Sequence, residues 1–178
     1  MIWFTADTHF DHKAILNYQQ ETRPFGSVDE MNEALVSRWN AVVAPGDVVY
    51  HLGDFAFRNH AHWAAQLRGQ IVLVEGSHDG MSAKDRKAFH WAGPLHVVKG
   101  DPDIILCHYA MRTWPRSHYG TWHLYGHTHG HLPPHGKSFD VGVDAWFLSP
   151  ISLGRVRTKM AELTEVGGVD ERYEGEVA

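Results

Sequence analysis

Apolar residues along the chain fall into two kinds of run. Short apolar or β-rich runs at residues 2–6, 47–53 and 70–75 end in Gly, Asp or His, and predict buried strands. A longer stretch, 28–43, places Met31, Leu35, Trp39 and Val42 at helical spacing. Asp29 and Glu30 lie near its start, where the helix macrodipole favours acids, and Pro45-Gly46 ends it. Residues 60–68 and 83–91 predict shorter helices. Further on, 95–99, 104–107, 122–125 and 138–143 read as consecutive strands with Gly, Pro or Asp between them. Residues 152–163 suit a helix or a strand. The pattern predicts one α/β layered domain over residues 1–166, with helices covering a mixed sheet or a pair of sheets. Residues 167–178 are acidic, contain glycine and read as a mobile tail.

The strand ends carry the chemistry. The first run stops at Asp7-Thr8-His9, the second at Gly53-Asp54, and the third at Gly76-Ser77-His78-Asp79. Later ones stop at Cys107-His108 and at Gly126-His127-Thr128-His129. Ligands of α/β sheets gather outside the carboxyl ends of strands, so these residues are expected in one cleft. Asp7, His9, Asp54, His108, His127 and His129 offer oxygen and imidazole nitrogen without thiolate. That set suits Mn, Fe, Co, Ni or Zn. Six candidates suffice for two ions if one carboxylate bridges them, and paired ions suit displacement at phosphorus. Singly, each piece has a bland reading: Gly-Asp after a strand is commonly a turn.

Composition narrows the setting. Fifteen of 178 residues are histidine, dispersed from His9 to His135 rather than clustered as a tag. The net charge of −5 argues against a stable nucleic-acid partner, which calls for a basic face. The single Cys107 cannot form an intrachain disulfide, and no signal-peptide pattern or 18-residue apolar run occurs. A cytoplasmic protein with no membrane segment is expected.

Taken together, Asp7-x-His9, Gly53-Asp54, Gly76-Ser77-His78-Asp79, His108 and Gly126-His127-x-His129 resemble the successive motifs of calcineurin-like metallophosphoesterases. Asp-Thr-His-Phe and Val-Tyr-His-Leu-Gly-Asp-Phe are similar to the small bacterial and phage branch. The resemblance implies a four-layer metallophosphoesterase β-sandwich flanked by helices. It implies two divalent metal ions: Asp7, His9 and His129 on the first, His108 and His127 on the second, and Asp54 bridging. His78 would serve as general acid, oriented by Asp79. Arg58 matches a phosphate-binding position, although its usual acidic neighbour is Phe57 here. The implied activity is phosphoester hydrolysis by attack of a metal-bridging hydroxide. A phosphodiester of a small or nucleotide-like group is the favoured substrate, and a phosphomonoester, including a phosphoprotein, is the alternative.

Ser77 departs from the family pattern, which has asparagine as a ligand of the second metal. Serine is a shorter and poorer neutral ligand, so the second site is expected to be weakened. A metal- or phosphate-binding module without turnover is therefore a rival reading. His12 is expected beside the ligands or on the substrate side. His118 and His123, between two ligand motifs, are candidate cleft residues for substrate. His51 is expected to be packed within its strand, and His60 to lie at the surface or be satisfied locally.

Overall fold

In the computed structural model, residues 1–164 are described. Residues 165–166 of the expected domain, and the acidic segment 167–178, lie outside the described residues.

Two mixed sheets form the frame. Strands β1 (Ile2–Thr5), β2 (Val48–His51), β3 (Gln70–Val74), β4 (Trp91–Gly93) and β9 (Ile151–Ser152) make the first sheet, ordered β4-β3-β2-β1-β9. Its first four strands are parallel, and β9 runs antiparallel to β1. The second sheet, β5 (Leu95–Val98), β6 (Ile104–Cys107), β7 (Trp122–Tyr125) and β8 (Ser138–Asp140), is parallel except for β5.

Strand alternation divides the core in two. Trp3, Val49, Ile71 and Leu73 pack with Met31, Leu35 and Trp39 of helix α2 (Val28–Val42). Phe4, Leu52 and Val74 join Ile104, Leu106, Leu124 and Phe139 of the second sheet. The first sheet is thus covered on both faces, which explains its near-continuous apolar strands. Helix α2 starts where Ser27 accepts a hydrogen bond from the Glu30 N–H, a typical N-cap. Val42 is exposed, and Val43 takes the core position instead.

Two expected helices are shorter than their patterns. Helix α3 (His60–Ala64) and helix α4 (Ala83–Arg86) each form about one turn. After α4, Phe89 turns inward and the His90 N–H donates to the Ile71 carbonyl at 2.8 Å. That captures the chain on β3 and produces β4 where helix was expected. The undecided segment holds both elements: β9, then α5 (Leu153–Glu162), capped by the Ser152 hydroxyl and burying Val156 and Met160. A single turn, α1 (Ile15–Tyr18), completes the helices described. Among the described residues no helix is long and apolar enough to cross a membrane.

Candidate metal centre

The ends of β1, β2, β3, β6 and β7 converge, as parallel strands drawn from two sheets permit. Asp7 donates its N–H to the Gly53 carbonyl, His9 to the Asp54 carbonyl, and Gly126 to the His108 carbonyl, each at 2.9–3.0 Å. Two trios result. Asp7, His9 and His129 bring one ligand atom each within 4.8 Å of one another, and so do Asp54, His108 and His127.

The backbone at these residues is unusual. Asp7, His9, Asp54, His127 and His129 all have positive φ, between 49° and 68°. Left-handed backbone costs a non-glycine residue about 1–2 kcal/mol, and such strain clusters at functional sites. Neighbouring chain approaches closely as well. A Cβ on Gly126 would sit 2.4 Å from Ala6 Cβ and 2.7 Å from Asp7 Oδ2. Glycine is required there for the Asp7 carboxylate to have room.

Hydrogen bonds fix which ring nitrogens face inward. The His108 Nδ1 must donate, because its partner at 2.7 Å is the Leu52 carbonyl. Its Nε2 is then left facing Asp54 Oδ2 at 3.5 Å. His129 Nδ1 donates to Asp144 Oδ2 at 2.7 Å, which likewise frees Nε2. His9 shares Nδ1 with the Nδ1 of His12 at 3.1 Å, and its Nε2 lies 3.6 Å from Asp54 Oδ2. The Asp54 oxygen therefore stands between the two trios. The Nε2 atoms of His9 and His108 are fully buried and have no hydrogen-bond partner among the described residues. Buried polar atoms seldom go unsatisfied, and two imidazole nitrogens aimed at one carboxylate fit a bound cation.

Electrostatics lead the same way. Burial pushes the Asp7 carboxyl up to about 7, although His129 opposes this. Burial also holds His9 well below the usual imidazole range, assisted by the Arg23 charge. At His108 burial lowers the pKa, but Asp54 and Asp7 outweigh it and the net shift is upward. His129 is raised in the same manner against burial, by Asp144 and Asp7. Protons on these rings thus partly balance the buried carboxylates, a role a divalent cation fills with more charge.

Other candidates divide. His78 is half exposed at the cleft, its N–H donating to Asp54 Oδ1 at 2.8 Å and its Nε2 4.0 Å from Asp54 Oδ2. The Ser77 hydroxyl lies 3.4 Å from both Asp54 oxygens. His12 stacks on Phe57, and its ring is tilted against those of His9 and His78. Arg58 is exposed, with Nε 3.6 Å from Asp11 Oδ2. His118 is exposed on the turn Ser117–Tyr119, its ring against Tyr119.

Two expectations are corrected, at Asp79 and His123. Asp79 does not hold the His78 ring: its carboxylate accepts the N–H groups of Asp54, Phe55 and Gly76 at 2.7–2.8 Å. It ties the end of β3 to the end of β2 and so positions Asp54. Of the two settings expected for His60, surface or local satisfaction, the structure has it buried beside Asp79, its Nε2 3.4 Å from Asp79 Oδ1. His123 is not a cleft residue. It is fully buried, with Nδ1 3.1 Å from the Ile105 carbonyl and Nε2 accepting the Met111 N–H at 3.2 Å.

The sequence reading missed Arg23, Asp140 and Asp144. Arg23 is buried, pairs with Asp144 through Nε and Nη2, and donates to the carbonyls of Asp7 and Thr8. Asp140 accepts from the Thr128 hydroxyl and from the N–H groups of Gly130 and Gly142. The rule that strand ends carry functional carboxylates, applied to the run ending at Val143, would have found Asp144. Nothing in the spacing around Arg23 marks it.

Fold and site define an α/β protein with two adjoining His/Asp trios of metal-ligand geometry. No family model matches the chain. It belongs to the family of the uncharacterized protein MJ1445 of Methanocaldococcus jannaschii, with 33% identity over 164 residues, covering 85% of this chain and 86% of that protein. It is also similar to the Gene 66 protein of Mycobacterium phage L5, 26% identical, covering 81% and 86% respectively. The crystal structure of AQ665 from Aquifex aeolicus, a protein of unknown function, has the same fold: TM-score 0.71, 23% identity, 89% of this chain and 98% of that one.

Proposed function

We propose that the chain is a dinuclear-metal-dependent phosphoester hydrolase of the calcineurin-like kind, and that its two sheets and flanking helices are that family's four-layer sandwich. The observation that carries the reading is Asp54 Oδ2, 3.6 Å from His9 Nε2 and 3.5 Å from His108 Nε2, both without a hydrogen-bond partner among the described residues. A carboxylate in that position can bridge two ions. When bound, two divalent ions such as Mn, Fe, Co, Ni or Zn supply a water of lowered pKa and positive charge for phosphoryl oxygens.

The protein's own groups do the rest. Asp54 holds negative charge, and Asp7 gains it on losing its proton, in a buried setting where a cation is strongly favoured. His78 is anchored by its N–H on Asp54 while its ring is 42% exposed. From there Nε2 gives a proton to the leaving oxygen. Arg58, exposed at the rim, contacts a phosphate oxygen. A phosphodiester of a small or nucleotide-like group is the favoured substrate, and a phosphomonoester is the second.

Turnover of bis(p-nitrophenyl) phosphate and p-nitrophenyl phosphate, with manganese added, tests the reading. Hydrolysis should be lost in Asp54→Asn. Two bound metal ions without hydrolysis of either ester would instead establish a binding module. The Ser77 hydroxyl, in place of a longer amide, is the observation that favours that second reading.

A further inference from the structure

Phe57 is 56% exposed, yet its placement is not slack. Its N–H donates to the Phe10 carbonyl at 2.8 Å, and the adjoining Ala56 forms a bridge with Phe10. The chain thus presents a large apolar ring to water at the rim of a polar site. One face of that ring is covered by His12, whose plane is nearly parallel (13°) at 5.0 Å. The 56% exposure falls on what His12 leaves uncovered. His78 lies beside the pair, 5.4 Å from His12 and 6.4 Å from Phe57 between ring centroids. Phe57 therefore adjoins His78, an imidazole of the cleft that is half exposed and belongs to neither trio.

We infer that the open face of Phe57, backed by His12, is a stacking wall for the leaving group of the substrate, which is a flat aromatic group such as an aryl ring or a nucleobase. The inference rests on the phosphoester reading, because His78 locates the leaving oxygen. The geometry favours a flat group over an aliphatic one. A ring already stacked on one face offers the other as a plane, and aromatic stacking adds to the gain from burial alone. A nucleobase on an aromatic side chain typically gains about tenfold or more in affinity. No such preference is expected from the trios, which address only the phosphoryl group.

Two nonhydrolysable ligands test this by calorimetry on the manganese-loaded protein. Benzylphosphonate carries a methylene for the ester oxygen of phenyl phosphate, and ethylphosphonate does the same for methyl phosphate. Benzylphosphonate should bind about tenfold more tightly. In Phe57→Ala the ratio should fall towards one while ethylphosphonate affinity stays unchanged. Phe57→Trp should keep the ratio, and Phe57→Leu, apolar but not flat, should lower it. An unchanged ratio in Phe57→Ala, in a protein that still hydrolyses phosphoesters, overturns the stacking wall alone. Failure of both phosphonates to bind a metal-loaded protein overturns the phosphoester reading and this inference with it.

Discussion

Asp144 accepts the Nδ1 proton of His129 at 2.7 Å and, through the same Oδ2, a hydrogen bond from Arg23 Nη2 at 2.7 Å. One carboxylate thus sets the orientation of a candidate ligand and neutralises a buried guanidinium. Burial works against its charge, but Arg23 and His129 hold its carboxyl below the usual range. Partners of this kind typically affect metal affinity by about 10- to 100-fold. Asp144→Asn should weaken one of two metal sites by that order and lower stability by about 3–5 kcal/mol, because Arg23 is left unpaired. Metal titration and urea unfolding of the same variant check both parts. Full affinity at both sites would remove Asp144 from the metal centre.

The strand-end pattern of Asp and His was legible because parallel strands deliver their carboxyl ends to one side of a sheet. Six residues far apart in the chain could be grouped on that ground. Side-chain direction was not legible. On β7, Trp122 and Leu124 face the first sheet, while His123 and Tyr125 share the other face. Alternation gives that division but not which face meets a cleft, so His123 looked available when Trp114 and the Met111 N–H already enclosed it. Asp79 misled for a related reason. Adjacency to His78 suggested a pair, but backbone amides at the ends of β3 and the neighbouring β2 compete better for a buried carboxylate. Arg23 escaped notice because its partner is 121 positions distant.

Gly126 offers a steric test of the centre. An added methyl meets Ala6 Cβ at 2.4 Å and Asp7 Oδ2 at 2.7 Å, both within buried, well-packed surroundings. Gly126→Ala should cost about 1–3 kcal/mol and displace the Asp7 carboxylate. Weakened metal binding should accompany the lowered unfolding midpoint. Gly46, where a Cβ meets nothing within 4 Å, is the control. A Gly126→Ala protein as stable as Gly46→Ala would contradict the packing described.

Ser77 predicts a gain. Its hydroxyl lies 3.4 Å from each Asp54 oxygen, at the long limit of a hydrogen bond. It adds little to the second trio, whereas an amide carbonyl reaches farther and is a better neutral oxygen ligand. Ser77→Asn should tighten the weaker of two metal sites by about tenfold and leave the other unchanged. Equal stoichiometry and affinity before and after the substitution would show that position 77 has no part in holding metal.

His51 predicts a loss of stability in acid. The Thr8 hydroxyl donates to the Phe55 carbonyl at 2.7 Å, so towards His51 it can only accept. His51 Nε2, 3.0 Å away, is therefore the protonated nitrogen, and Nδ1 is buried with no hydrogen-bond partner among the described residues. A second proton would have to sit on Nδ1 without a partner, packed near Trp39 and Phe55. Burial accordingly pushes the imidazole down to about 4, although Asp79 draws it upward. Between about 6.5 and 4 the unfolded chain binds this proton and the folded one does not, so stability falls as pH falls. The loss attributable to His51 reaches about 3 kcal/mol below pH 4 and is absent above about pH 7. His51→Gln keeps a donor towards Thr8 but does not titrate. Its urea midpoint should start lower at pH 7, from poorer ring packing, and then decline less steeply than that of the parent. Parallel decline of the two proteins from pH 7 to 4 would exclude His51 as a source of the acid sensitivity.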